Sequence, residues 1–137
     1  MTLYRFHHVG IVTTDLNATV AFYEGLGYTA SEKFEDAYQL SNIVLMKSPD
    51  SPLIELVEPQ SDASPATGWT KRVKTNSYHT CYEVKNLAEA VTELKTKNIL
   101  PVTKPYPSAA FELRPVVFLW GTACGLVELV QSTVEPE

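Results

Sequence analysis

Apolar side chains recur along this chain with two periods, and stretches of one period alternate with stretches of the other. Arg5 to Thr13 is rich in Val and Ile and reads as a strand. Thr14 or Asp15 then caps a helix whose apolar positions are Leu16, Val20, Phe22, Tyr23 and Leu26, and Gly25 and Gly27 end it. Tyr28 to Phe34, Gln39 to Lys47 and Pro52 to Glu58 read as three more strands, with a Pro- and Ser-rich turn over residues 48–52 between the last two. Residues 59–76 lose the periodicity and gain Pro, Ser, Thr, Asp and Gly, as a linker does, with Trp69 as its anchor to the body.

The pattern then restarts. Ser77 to Val84 reads as a strand, and Asn86 caps a helix in which Leu87, Ala90, Val91 and Leu94 form an apolar stripe. Asn98 closes it, and Ile99 to Thr103, Pro115 to Trp120 and Gly125 to Gln131 supply three further strands. The order is β-α-β-β-β, linker, β-α-β-β-β. Laying His8 on His79 brings Asp15 onto Asn86, Leu16 onto Leu87 and Val20 onto Val91. The matches fall at caps and core positions, so internal duplication is the simplest account. The 137 residues are read as one domain, with a first module over 1–58, a linker over 59–76 and a second module over 77–131.

Composition narrows the class. Hydrophobic content of 45% and charged content of 20% are ordinary for a globular chain, and no apolar run reaches the ~20 residues of a membrane helix. A net charge of −5 and the lack of a basic cluster argue against nucleic acid. Lys71, Arg72 and Lys74 are the densest basic group and read as solvated linker. Met1 to Arg5 shows no basic region followed by an apolar run, so the chain is read as cytoplasmic, with Cys81 and Cys124 reduced. Cys81 shares a strand face with His79, where a small buried hydrophobe is the simpler reading and a pocket wall the other.

The duplication carries candidate chemistry with it. His8 is followed by Glu55 and His79 by Glu128, and each Glu interrupts an aliphatic run, Leu53-Ile54-Glu55-Leu56-Val57 and Leu126-Val127-Glu128-Leu129-Val130. A lone buried carboxylate costs several kcal/mol or more, so each must be paired, protonated or metal-bound. Two such pairs at matching positions suggest one 2-His-2-Glu divalent metal centre. The alternative is that Glu55 or Glu128 pairs with Arg114 or Arg5. His7 has no counterpart and reads as structural or as a support behind the ligands, Glu58 and Glu83 end their strands and read as solvated, and Phe111, Arg114 and Trp120 are candidates to shape a pocket.

Four stretches together resemble a known family. His8-Val9-Gly10-Ile11-Val12 with Asp15-Leu16, Phe22-Tyr23 and Leu26-Gly27 resembles the opening of the vicinal oxygen chelate superfamily, which includes glyoxalases, bleomycin resistance proteins and dioxygenases. Residues 54–59, 79–84 and 125–129 resemble its fourth, fifth and eighth strands, most closely in the methylmalonyl-CoA epimerase and glyoxalase I branch. The resemblance implies an α+β fold in which two paired βαβββ modules form an incomplete barrel around a metal. It implies His8, Glu55, His79 and Glu128 as the ligands, a small-molecule substrate and a homodimer. Mixed nitrogen and oxygen donors suit Mn, Fe, Co, Ni, Zn or Mg and do not choose among them.

What the resemblance implies for function is an epimerase, isomerase or lyase that polarises a substrate carbonyl and passes through an enolate, with Glu128 as base as well as ligand. Two features of the named enzymes are replaced. Tyr38-Gln39-Leu40 offers no third-strand carboxylate, although Glu35 and Asp36 lie just upstream, and Val12-Thr13-Thr14 stands where glyoxalase I carries an Arg. The sequence reading therefore reaches metal-assisted chemistry and neither named reaction. A non-catalytic, drug-sequestering protein of the bleomycin resistance type is the other class. A ring-cleaving dioxygenase, with its three-ligand set, is disfavoured by Glu55.

Overall fold

The computed structural model describes residues 2–133, which hold nine strands and two α-helices. In chain order these are β1 (Arg5–Thr13), α1 (Leu16–Gly25), β2 (Thr29–Asp36), β3 (Ser41–Lys47), β4 (Leu53–Pro59), β5 (Thr75–Val84), α2 (Leu87–Lys95), β6 (Leu100–Pro101), β7 (Tyr106–Pro107), β8 (Pro115–Gly121) and β9 (Gly125–Gln131). Contacts divide the chain into two units. His8–Tyr78 forms the N-terminal unit, and the residues up to His7 join those from His79 onward in the C-terminal unit. The first residues belong there because Phe6 stacks edge-on to Tyr82, His7 lies 5.0 Å from the Phe111 ring and Arg5 reaches Glu83.

In the N-terminal unit the strand order is β2-β3-β4-β1, with β1 and β4 parallel and the other pairs antiparallel. Val9, Ile11, Ile54, Leu56, Val44 and Met46 point to one side and pack on Leu16, Val20 and Tyr23 of α1. Strand alternation sends the intervening residues to the opposite face. The helix starts where expected. Asp15 accepts from Ala18 N at 3.1 Å, and Gly27, at φ +99°, donates its N–H to Glu24 O behind the last turn. The edge strand β2 carries Glu32, Lys33 and Glu35 and a register shift between Ala30 and Lys33, both of which blunt it against further pairing.

The linker packs on this unit. Ser64 Oγ donates to Gln39 O at 2.6 Å, Thr14 N donates to Lys74 O, and the Trp69 ring leans on Tyr78 at 6.0 Å. Trp69 is 38% exposed, its ring beside Tyr78 and less buried than an anchor would be, and Lys71, Arg72 and Lys74 are exposed.

The C-terminal unit repeats the plan with order β5-β9-β8-β6 and β5 parallel to β9. Val84, Val117, Leu119 and Leu129 pack on Leu87 and Ala90 of α2, capped by Asn86 accepting from Glu89 N at 3.0 Å. One stretch departs from expectation. The strand expected over 99–103 is reduced to Leu100–Pro101, and a second two-residue strand, β7, pairs separately with the start of β8. Pro101, Pro105 and Pro107 remove the donors a longer strand would need.

Glu58 is not solvated as its place at a strand end suggested. Its carboxylate accepts from Leu16 N at 2.9 Å, the first free N–H of α1, and also from Asn42 Nδ2. Gln131, three residues beyond Glu128 as Glu58 is beyond Glu55, accepts from Leu87 N of α2 at 2.9 Å and donates to Lys85 O. Each fourth strand of the repeat therefore ties down its own helix.

Candidate metal centre

Both His–Glu pairs arise from the same register. In the N-terminal unit His8 stands opposite Leu53 on the parallel strand, and Glu55 stands opposite Gly10. His8 and Glu55 are diagonal neighbours on the face turned away from α1, as the alternation Val9, Ile11, Ile54, Leu56 requires. The imidazole Nε2 lies 3.4 Å from Glu55 Oε1, and both side chains are buried. In the C-terminal unit Glu128 stands opposite Cys81, and His79 lies two residues back along β5. His79 Nε2 lies 3.2 Å from Glu128 Oε1, again with both groups buried.

The surroundings of each carboxylate are apolar and small on one side, apolar and large on the other. Gly10 and Cys81 occupy the same repeat position, each a small residue opposite its carboxylate. Leu45 is the register partner of Glu55 on β3, and Phe118 is that of Glu128 on β8. The Phe118 ring stands edge-on to His79 with centroids 5.1 Å apart, which fixes the plane of the imidazole. Cys81 is fully buried, a packing residue that also lies on the ligand face.

The arginines expected as alternative partners of these carboxylates go elsewhere. Arg114 donates from Nη2 to Glu83 Oε2 at 2.6 Å and from Nε to Gln131 O at 2.8 Å, and Arg5 Nη1 lies 4.0 Å from the other oxygen of Glu83. Glu83 is consequently an ion-pair partner and not a solvated strand end, and Arg114 holds β8 to β5 and β9. Phe111 is buried, its ring edge-on to that of His7.

The donor set fits a divalent cation. Ligand atoms bound ~2.1 Å from one ion stand about 3.0 Å apart on an octahedron and about 3.4 Å apart on a tetrahedron. The two nitrogen–oxygen separations, 3.4 and 3.2 Å, fall in that interval. A cation also supplies what a buried carboxylate otherwise lacks, a compensating charge inside an apolar wall. Strand alternation alone places Gly10 on the ligand face beside His8, but sequence reasoning did not identify Phe118 or Leu45 as neighbours of the ligands. Only the strand register, legible once β3 pairs with β4 and β8 with β9, brings them there.

Two βαβββ units, each with a helix on one face and a His–Glu pair on the other, are the glyoxalase-like α+β fold. The profile of the Glyoxalase/Bleomycin resistance protein/Dioxygenase superfamily matches residues 7–118, and the chain belongs to that superfamily. Within it, the chain is similar to the mitochondrial methylmalonyl-CoA epimerase of Homo sapiens, 34% identical over 132 residues covering 93% of this chain and 74% of the relative. It is 27% identical over 117 residues to an ethylmalonyl-CoA/methylmalonyl-CoA epimerase of Cereibacter sphaeroides, covering 84% of this chain and 87% of that one. A substituted Streptomyces coelicolor methylmalonyl-CoA epimerase, solved in complex with 2-nitronate-propionyl-CoA, superposes with a TM-score of 0.84 at 21% identity, covering 96% of this chain and 99% of that one.

Proposed function

We propose that this chain is a divalent-metal-dependent epimerase of CoA thioesters that removes and returns the proton on the carbon next to the thioester carbonyl. The observation that carries the reading is the duplicated His–Glu pair, buried in identical register in both units. The 34% identity to an epimerase of this class supports it. His8, Glu55, His79 and Glu128 are the proposed ligands of one ion. When bound, the ion polarises a substrate carbonyl and so acidifies the neighbouring C–H.

In this reading Glu128 takes the α-proton and gives it back. Phe118 lies directly opposite it on β8, and the carboxylate is buried. Glu55 carries the same charge but serves as ligand. Inversion also needs a proton donor on the opposite face of the carbanion. The carboxylates near the third strand do not serve it simply. Glu35 is exposed, and Asp36, though buried, accepts from both Tyr38 N and Gln39 N at 2.9 Å and is committed to the turn that follows β2.

The test reads exchange and inversion separately. Protein loaded with Mn, Co or Mg is incubated with one epimer of methylmalonyl-CoA in deuterated buffer. Deuterium uptake at the α-carbon with formation of the other epimer supports the proposal. Uptake without inversion retains Glu128 as base and rejects epimerisation, and no uptake with any metal rejects the enzyme and favours a binding protein. We also propose a homodimer, which light scattering at micromolar protein checks; because β2 is already blunted, such a dimer would use another surface.

A further inference from the structure

We propose that the ligand face of the C-terminal unit continues into an apolar shelf that selects substrates with a long apolar substituent on the reacting carbon. This rests on the reading of the chain as a thioester epimerase and adds the substrate class. Strand register carries it. Phe118 lies opposite Glu128, and two residues along β8 Trp120 lies opposite Leu126 and, on its other side, opposite Leu100. The antiparallel pairing continues through Val102, whose N–H donates to Phe118 O at 2.9 Å, and Phe118 N in turn donates to Thr103 Oγ1. By alternation Trp120, Leu126, Leu100 and Val102 all point to the face that holds Glu128, while Leu119 and Leu129 point to α2.

These residues are uncovered. Trp120 is 43% exposed, Leu100 49% and Val102 58%, whereas Leu119 and Leu129 on the other face of the same strands are fully buried. A contiguous apolar surface running out from a buried polar pair is the usual make-up of a small-molecule site. The Trp120 ring reaches toward the β8–β9 turn, where a side chain on Gly125 would lie 3.8 Å from it. The N-terminal unit shows that the shelf is no by-product of the fold. There the position two residues beyond the carboxylate's neighbour Leu45 is Lys47, exposed and charged.

The shelf begins two residues, about 7 Å, beyond the Glu128 row. A methyl group on the reacting carbon stops short of it, whereas a substituent of roughly four to six carbons at that ~7 Å spacing lies along Trp120 and Leu100. Each methylene moved from water onto an apolar surface is worth up to about fourfold in affinity.

The experiment compares propionyl-CoA with hexanoyl-CoA, whose substituents on the reacting carbon are methyl and butyl, by titration calorimetry on metal-loaded protein. Hexanoyl-CoA is expected to bind roughly tenfold or more tightly, three methylenes being partly covered. Trp120→Ala is expected to cut that ratio below about threefold, Leu100→Ser to lower it in the same direction, and Lys47→Ala to leave it unchanged. Equal binding of the two thioesters by the unsubstituted protein overturns the shelf. So does a preference that survives in both Trp120→Ala and Leu100→Ser, and either variant suffices if the other fails to fold. The outcome is separable from that of the deuterium test. Chain-length preference without α-proton exchange keeps the shelf and rejects the epimerase, and exchange without preference does the reverse.

Discussion

The two units of this chain share their interior and differ at their rims. Inside, the repeat is strict. A capped helix covers β1 and β4 in one unit and β5 and β9 in the other, and His and Glu fall at the same register in both. Glu58 and Gln131 hold the two helix starts from equivalent places. At the rim, the N-terminal unit closes its sheet with the long strand β2 along β3 and ends beside Lys47, whereas in the C-terminal unit β8 is met only by the two-residue β6 and β7, and Trp120 and Leu100 are left uncovered. The residues proposed to hold the metal, and those of the scaffold, are the ones the repeat preserves. The residues proposed to set the substrate are those it does not.

The most severe way to break the symmetry is at the carboxylates. Glu128→Gln keeps the shape and removes the proposed base, so α-proton exchange should fall by about 10²- to 10⁴-fold. Glu55→Gln, a change of ligand alone, should cost less at saturating metal. Exchange rates measured with both variants check this, and equal losses would contradict separate roles for the two residues.

The scaffold should answer symmetrically. Leu56 and Leu129 each follow a site carboxylate, and each is fully buried against its own helix. Leu56→Ala and Leu129→Ala should each destabilise the fold by about 2–5 kcal/mol in urea unfolding. A large effect for one and none for the other would mean that the units do not share a packing plan.

The caps sharpen the comparison at smaller amplitude. Asp15→Ala and Asn86→Ala should each cost about 1 kcal/mol, since each side chain accepts one N–H of its helix's first turn. Glu58→Gln should cost a few tenths to ~1 kcal/mol by removing a negative charge at the start of α1. Gln131→Glu should gain nothing from its charge, because its second carboxylate oxygen would face Lys85 O where the amide N–H now donates. Thermal unfolding of these four variants reads both pairs.

Much of this was legible in the sequence, for physical reasons. β1 and β9 fall where their aliphatic runs place them, and both helices begin at the expected caps, because alternation and capping are local. The ligand residues stood out because a Glu inside an aliphatic run is costly, and because the repeat set two of them in parallel. The β6–β7 region was not legible, since its pairing depends on β8 and prolines disguise it. The partners of Glu58 and Glu83 were hidden because a helix start and an arginine 42 and 31 residues away supply them. The exposure of Trp120 follows from the shortness of β6, which no local pattern announces.

We propose that one ion takes its ligands from both pairs, and metal content tests this most directly. Purified protein, dialysed and titrated with Mn, Co and Zn, should bind about one divalent ion per chain, and Glu55→Ala and Glu128→Ala, in different units, should each weaken that same ion. No bound metal after titration, two ions per chain, or full affinity retained when either carboxylate is removed would contradict it.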